Sequence, residues 1–176
     1  MYSAMASLRR FFSLSALALL VLFPACSKDE AKKTVVVKSV DERFPIKIGD
    51  RVVQVRVALA PTEMQRGLMF VKSMGAEEGM IFVFPRPQTM GFWMRHTELP
   101  LDIGDLDPDG TLREVYPMYP HDEKSVPSVA RRQIALEMNQ GWFARAGVKP
   151  GAKLDMKALQ AAMQARGFKP EPYGLK

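Results

Sequence analysis

From Phe44 to Leu59 the chain alternates apolar and polar residues on either side of Gly49-Asp50. A period of two places Val53, Val55, Val57 and Leu59 on one face of an extended segment, and Gly-Asp is turn chemistry, so this stretch reads as a β-hairpin with one face to bury. A chain built on such a hairpin needs further strands to complete a core.

The following sequence supplies them. Gly79 to Phe84 is a near-continuous apolar run stopped by Pro85 and Pro87, the pattern of a buried strand, and Met90 to Met94 reads as another. Leu101 to Leu106 and Leu112 to Tyr116 flank Asp107-Pro108-Asp109-Gly110, a strong hairpin turn. Asp105, Asp107 and Asp109 alternate like calcium-loop ligands, but the glutamate spacing of such a loop is missing, so the turn reading stands. Gln133 to Met138 sets Ile134, Leu136 and Met138 against Gln133, Ala135 and Glu137.

Helical signals are short. Thr62 to Gly67 is predicted as a helix capped by Thr62, with Gln65 completing a capping box, and Gly141 to Gly147 as one or two turns. After the Pro150-Gly151 turn, a short strand is expected at Lys153 to Met156, and Asp155 caps a closing helix running through Arg166 to Gly167. The expected fold is mainly β: a compact antiparallel β-sandwich or partly open barrel with two or three short helices.

The amino terminus carries an address. Arg9-Arg10 precede a charge-free apolar run from Phe11 to Phe23 and then Pro24-Ala25-Cys26, the three-part layout of an export signal. That run is too short to span a bilayer, which takes about 20 residues. Ala25 before the chain's single cysteine suggests a lipoprotein processing box in which Cys26 becomes a lipidated N-terminus, simple secretion being the alternative. The expected organisation is a lipoprotein-type signal peptide over 1–25, a tether over 26–33, a single β domain over 34–168 and a tail over 169–176. The protein is accordingly expected to be exported and anchored to a membrane through Cys26, facing the periplasm or cell exterior.

With no cysteine besides Cys26, cysteine nucleophiles, thiolate zinc sites and iron-sulfur clusters are excluded, and no cofactor is expected. The formal charge of +6 falls to +4 once Arg9 and Arg10 are removed, and it is dispersed. Nucleic-acid binding calls for a dense basic stripe, so no nucleic-acid partner is expected; the partners left are the membrane and an unknown small ligand or envelope protein.

Four ordered motifs carry a resemblance: Arg66-Gly67-Leu68-Met69-Phe70; Gly79-Met80-Ile81-Phe82-Val83-Phe84; Phe92-Trp93-Met94-Arg95-His96-Thr97 with Pro100-Leu101-Asp102; and Leu136-Glu137-Met138. Together, over about Val53 to Leu154, the chain resembles the prokaryotic family known as Domain of Unknown Function 192. The resemblance implies a small, mainly β sandwich or barrel and frequent export, and it implies no activity. The chain departs from the family pattern where His96 stands in place of a usual asparagine, where Val71 stands for a basic residue, and where Ile103-Gly104-Asp105 interrupts an apolar strand.

Arg66, His96, Asp102 and Glu137 are polar residues inside apolar motifs, and a charge buried without a partner costs several kcal/mol. One reading is a structural ion-pair network. The other is a ligand site in which Arg66 and His96 offer donors, Trp93 supplies a stacking face, and Asp102 or Glu137 orients them. A hydrolase using His96 and Asp102, with Ser125 or Ser128 as nucleophile, would need a strand-to-helix elbow that neither serine has. His121-Asp122-Glu123 could face a hard cation or simply be solvated. Met64, Met69, Met74, Met80, Met90 and Met94 could hold copper(I) through thioethers or fill a core. Trp142-Phe143 reads as helix packing or, if exposed, as a partner patch. The function expected from these readings is a lipid-anchored, non-catalytic ligand- or partner-binding module; an envelope hydrolase acting on a cell-wall or glycan substrate and a copper(I)-handling protein are the alternatives.

Overall fold

The structure is a computed structural model that describes residues 37–175. The leader, Cys26 and the tether lie outside the described residues. The elements in chain order are β1 (Phe44–Ile48), β2 (Arg51–Ala58), α1 (Pro61–Arg66), β3 (Glu78–Gln88), β4 (Gly91–Phe92), β5 (Leu101–Leu106), β6 (Leu112–Met118), β7 (Val126–Pro127), β8 (Arg132–Asn139), α2 (Trp142–Ala146) and α3 (Met156–Ala165), with a closing 3₁₀ turn at Glu171–Tyr173. Six strands form one open sheet in the order β1-β2-β3-β8-β5-β6, and β4 pairs with β7 in a separate two-stranded ribbon.

The predicted hairpin is β1-β2, in register from Phe44↔Val55 to Ile48↔Arg51. Gly49 takes φ +56°, the positive-φ position that a two-residue hairpin turn asks of a glycine. The sheet is mixed rather than wholly antiparallel, because β2 and β3 run parallel with Gln54↔Glu78 and Ala58↔Phe82 as partners. The connection from Leu59 to Glu77 is far longer than a hairpin loop and carries α1, as a parallel crossover requires. That crossover lays α1 against the sheet.

The two sheet faces bury different clusters. On one, Val53, Val55, Val57, Ile81, Val83, Ile134 and Leu136 pack beneath α2 and α3, whose Trp142, Phe143, Leu159 and Met163 are all buried. On the other, Met80, Phe82, Leu101, Ile103 and Ala135 pack with Leu68, Met90 and Met94 from the loops. Each such side chain contributes about 1.5–3 kcal/mol by leaving water, so both faces count as core. Trp142 and Phe143 therefore belong to helix packing, and Trp142 Nε1 donates to Glu77 Oε2 at 3.0 Å.

Several local expectations change. Helix α1 is capped two residues earlier than Thr62: Pro61 occupies its first turn, Ala60 is the cap residue, and Glu63 Oε2 accepts from the backbone N–H of Leu59 and Ala60, both at 3.0 Å. A proline at the first helical position needs no donor, which is why the start precedes the threonine. The expected strand at Met90 to Met94 shrinks to β4, since Met94 N bonds instead to the loop oxygen of Asp122. Lys153 to Met156 makes only two isolated bridges, Leu154 to Ile48 and Lys153 to Thr111. Asp155 does cap α3, its Oδ1 accepting from Ala158 N at 3.0 Å, and the tail folds back so that Gln133 Nε2 donates to Tyr173 O at 2.6 Å.

Gly104, which breaks the apolar run of β5, has a steric reason. A Cβ there would lie 2.7 Å from Phe143 Cζ and 3.0 Å from Leu112 Cδ1, so only glycine lets α2 seat its phenyl ring on the sheet.

Candidate functional site

Strand alternation distributes the polar residues of the apolar motifs. On β8, Glu137 points to the face of Ala135, opposite Ile134, Leu136 and Met138. It pairs across to Met80 on β3 and Ile103 on β5, at the middle of the sheet. Above it lie α1, the 67–69 turn and the segment from Gly91 to Thr97. Between them is a cleft of about 210 Å³ lined by Arg66, Phe82, Phe92, Trp93, Thr97 and Glu137, among others.

Glu137 is 5 % exposed, and its Oε2 is wholly buried with no hydrogen-bond partner among the described residues. Desolvation alone pushes its carboxyl up to about 8, so it is largely neutral at pH 7. A neutral carboxyl is both a donor and an acceptor, whereas a carboxylate only accepts. The cleft thus holds an uncharged, unsatisfied acid against aromatic walls.

Those walls are ordered by the aromatic residues themselves. Phe92 stands edge-on to Phe82 at 5.2 Å and to Phe84 at 6.4 Å, which fixes the short β4 segment over the sheet. Met94 is buried on the same side, and the alternation leaves Trp93 outward, 47 % exposed. Arg66, in the last turn of α1, is exposed at the mouth and makes no ion pair among the described residues. A second depression of about 290 Å³ shares Arg66, Met69 and Trp93 with the first and adds Arg95 and His96.

Helix α1 is held in place from the far end of the chain. Arg166, at the carboxyl end of α3 and 5 % exposed, donates to Val57 O at 3.3 Å and Lys38 O at 2.7 Å and forms an ion pair with Glu63. Burial works against the charge on Glu63, but Arg166 and the N–H groups of Leu59 and Ala60 outweigh it and hold the carboxyl below its ordinary value. Residues more than a hundred positions apart thereby fix the helix that carries Arg66. No local pattern in the sequence marks Arg166 for this task.

Of the five predicted ligand residues, Arg66, Trp93 and Glu137 meet in the cleft and His96 lies in the adjoining depression. Asp102 is elsewhere: its Oδ2 accepts from Gly141 N at 2.7 Å, at the start of α2 beneath the opposite face. Burial raises its pKa, with Gly141 N–H and Arg145 acting the other way. The hydrolase pairing of His96 with Asp102 does not form. Ser128 is a buried bracket, its Oγ donating to Ala130 O at 2.8 Å and accepting from Met90 N at 3.0 Å, and Ser125 is exposed.

His96 has a backbone role. It sits at φ +53° with its carbonyl accepting from Phe70 N at 2.9 Å, and its ring stacks on Phe70 at 5.2 Å. Left-handed backbone favours asparagine and histidine over most residues, which accounts for histidine where the family pattern has asparagine. Phe70 and His121 are also at positive φ, and Met94, His121 and Thr97 tie the same loops together by backbone bonds. Asp122 turns back to accept from Lys124 N, a loop-closing contact. Met80, Met90 and Met94 are buried in the core, and Met64 and Met74 pack against it.

One buried acid in the expected strand was not among the predicted site residues. Asp105 points to the same face as Glu137, is 2 % exposed, and has Oδ1 without a partner. Burial, with Glu114 adding to it and Arg132 opposing, pushes its pKa up to about 7.

Comparison with known proteins places this architecture. The model of the family described as an uncharacterized ACR, Domain of Unknown Function 192, matches residues 44–156, which span every strand and the whole cleft. A Sinorhizobium meliloti protein provisionally named a transcription regulator is 30% identical, with a TM-score of 0.63 over 68% of this chain and 95% of that one. A Novosphingobium aromaticivorans protein of unknown function is 34% identical, with a TM-score of 0.63 over 68% of this chain and 91% of that one. No curated protein matches.

Proposed function

The chain belongs to the Domain of Unknown Function 192 family, and from that premise, to which no reaction is attached, we propose that it is a non-catalytic binding module that takes a small ligand in the cleft over β3 and β8. The observation that supports this reading is the convergence of Arg66, Trp93 and the unsatisfied Glu137 on one open, aromatic-lined cleft. A structural ion-pair network would have joined these groups to one another. Instead, desolvation is the sole cause of the shift at Glu137, and Arg66 faces solvent.

Among the described residues no nucleophile and base are assembled in the cleft, which favours binding over turnover. Trp93 offers a face, Arg66 a charge-assisted donor at the mouth, and Glu137 a polar anchor at depth. The export signal and the Cys26 box place the module, in this reading, at the cell envelope on a lipid anchor.

Tryptophan fluorescence tests the reading, because Trp93 is 47 % exposed and Trp142, the other tryptophan, is 3 % exposed. Titrating the full-length chain in mild detergent with a panel of monosaccharides, small carboxylic acids and small cyclic amides should give a saturable change that Arg66→Ala weakens and Trp93→Phe abolishes. No saturable change with any member of the panel, or one indifferent to both substitutions, would refute it.

A further inference from the structure

The depression beside the cleft is built from two local patterns. Thr62, Gln65 and Arg66 stand at positions i, i+3 and i+4 of α1, so they share one face of the helix, and all three are exposed. In the segment after β4, Met94 is buried, whereas Trp93 and Arg95 on either side of it and His96 beyond are exposed. The two sets meet around a space of about 290 Å³.

Its chemistry differs from that of the cleft. Among the described residues no carboxylate lines it, whereas two guanidinium groups do. Arg66 has no ion-pair partner among the described residues, and Arg95 has only Glu123, at 4.0 Å with both side chains more than half exposed. An exposed pair at that distance holds its charges weakly. Both cations are therefore open to an anion from solution, and a guanidinium meets a carboxylate or a phosphate with two parallel N–H donors.

An anion alone would not call for the aromatic surface found here. The exposed large aromatic side chains among the described residues are Phe70, Trp93 and Tyr119. Trp93 lines the depression, and Phe70 lies against its His96, the rings stacked at 5.2 Å. Phe70 N–H donates to His96 O at 2.9 Å, and Phe70 takes φ +64°, a backbone unfavourable to a phenylalanine, while its ring stays 61 % exposed. Burial does not explain that arrangement, whereas a surface for a ring-shaped ligand does. Thr62 and Gln65 narrow the kind of ring, because a hydroxyl and an amide both donate and accept and so answer hydroxyl groups. A pyranose has the two sides required, an apolar face of C–H groups and a rim of hydroxyls.

We propose that this depression is a second subsite, outside the cleft, for a pyranose carrying one anionic group, carboxylate or phosphate. The sugar face lies on Trp93, its hydroxyls meet Thr62 and Gln65, and the anion is held by Arg66 and Arg95. Ligand sites span about 300–1,000 Å³, so a space at the bottom of that range takes a single sugar unit. Arg66 and Trp93 are shared with the cleft over β3 and β8, but Arg95 and His96 do not line it, so the subsite has residues of its own.

The probes are methyl β-D-glucuronide, glucose 6-phosphate and methyl β-D-glucoside at pH 7, which share the ring and differ in charge. Binding to the full-length chain in mild detergent is followed through the Trp93 indole N–H signal in nitrogen-15 tryptophan-labelled protein, and by saturation-transfer NMR for Trp93→Leu. At least one anionic sugar should bind about fivefold or more tightly than the glucoside, and the one that does so identifies the anion. Arg95→Gln should remove that advantage, and Trp93→Leu should weaken the anionic sugar by a similar factor. Lys149→Gln takes the same positive charge from the surface beyond α2, on the other side of the sheet, and should leave affinity within about twofold. All three side chains are exposed, so the variants should fold.

Equal affinity for the charged and neutral sugars, a charge preference that survives Arg95→Gln, or one that Lys149→Gln lowers as much, overturns the subsite. So does absence of binding by all three sugars. The cleft is judged separately, by those members of its panel whose binding Arg95→Gln leaves unchanged.

Discussion

Glu137→Gln should make the protein more stable, and the gain should grow with pH. In the folded state burial pushes the carboxyl up to about 8 from an ordinary value of 4.5, so its folded pKa is raised, the unusual direction for a paired acid and the expected one for a desolvated acid. Below pH 4.5 both folded and unfolded chains hold the proton and no difference arises. Between pH 4.5 and 8 the unfolded chain gives it up and the folded chain does not, so stability falls by about 1.4 kcal/mol per pH unit. At pH 7 the accumulated cost is about 3 kcal/mol, and it levels off at about 5 kcal/mol above pH 8. Glutamine has nearly the same shape and no such titration. Urea unfolding of both proteins at pH 4, 5, 6, 7 and 8 should show a stability difference near zero at the acid end and about 3 kcal/mol in favour of Gln at neutrality. Other ionisable groups on this side, among them Arg56 beside Met80, Arg66 at the mouth and Asp105 diagonally across on β5, are common to both proteins and largely cancel in the difference. A difference that stays flat across this range, or that favours Glu at pH 7, would refute the claim that a neutral, unpaired acid sits in the cleft.

Four further outcomes follow, three from the structure and one from the export signal in the sequence. Arg166→Met should destabilise the fold by about 2–4 kcal/mol in chemical denaturation, because it leaves the half-buried Glu63 carboxylate without its charged partner and frees the start of α1; Arg166→Met with Glu63→Gln should recover much of that loss. Gly104→Ala should cost about 1–3 kcal/mol by thermal unfolding, since its methyl would sit inside contact distance of Phe143, with no change at the cleft on the other face. His96→Asn should be nearly neutral and His96→Val should cost about 1–3 kcal/mol, a contrast in melting temperature that only a positive-φ requirement produces. Cys26→Ser should shift the protein from the detergent phase to the aqueous phase on phase partitioning of cell extracts; retention in the detergent phase would refute a lipid on Cys26.

How much of this was readable before folding depends on the range of the interaction concerned. The β1-β2 hairpin was legible because alternation and a Gly-Asp turn are both local, and β8 was legible for the same reason, down to the separation of Glu137 from Leu136. The parallel pairing of β2 with β3 was not, because it is decided by what α1 and its crossover cover. Grouping Arg66, Trp93 and Glu137 needed only their shared setting in apolar motifs. Asp102 resembled them by that same measure, but the pleat turns it to the other side of the sheet, where Gly141 satisfies it. Asp105 lies in the strand expected over Leu101 to Leu106, but its alternation with Asp107 and Asp109 drew the reading to the turn and not to the sheet face it shares with Glu137. Arg166 was invisible as a positioning residue because its partners lie at Lys38, Val57 and Glu63, none of them near it in the chain.

The two tryptophans provide the most direct measurement of the central claim, since they lie on opposite faces of one sheet. Trp93 lines the cleft, and Trp142 is buried between α2 and the other sheet face with its indole N–H on Glu77. In a nitrogen-15 tryptophan-labelled full-length chain titrated with the mixed ligand panel, the Trp93 indole N–H signal should shift saturably while that of Trp142 stays still. A shift confined to Trp142, or equal movement of both, would contradict a ligand site over β3 and β8.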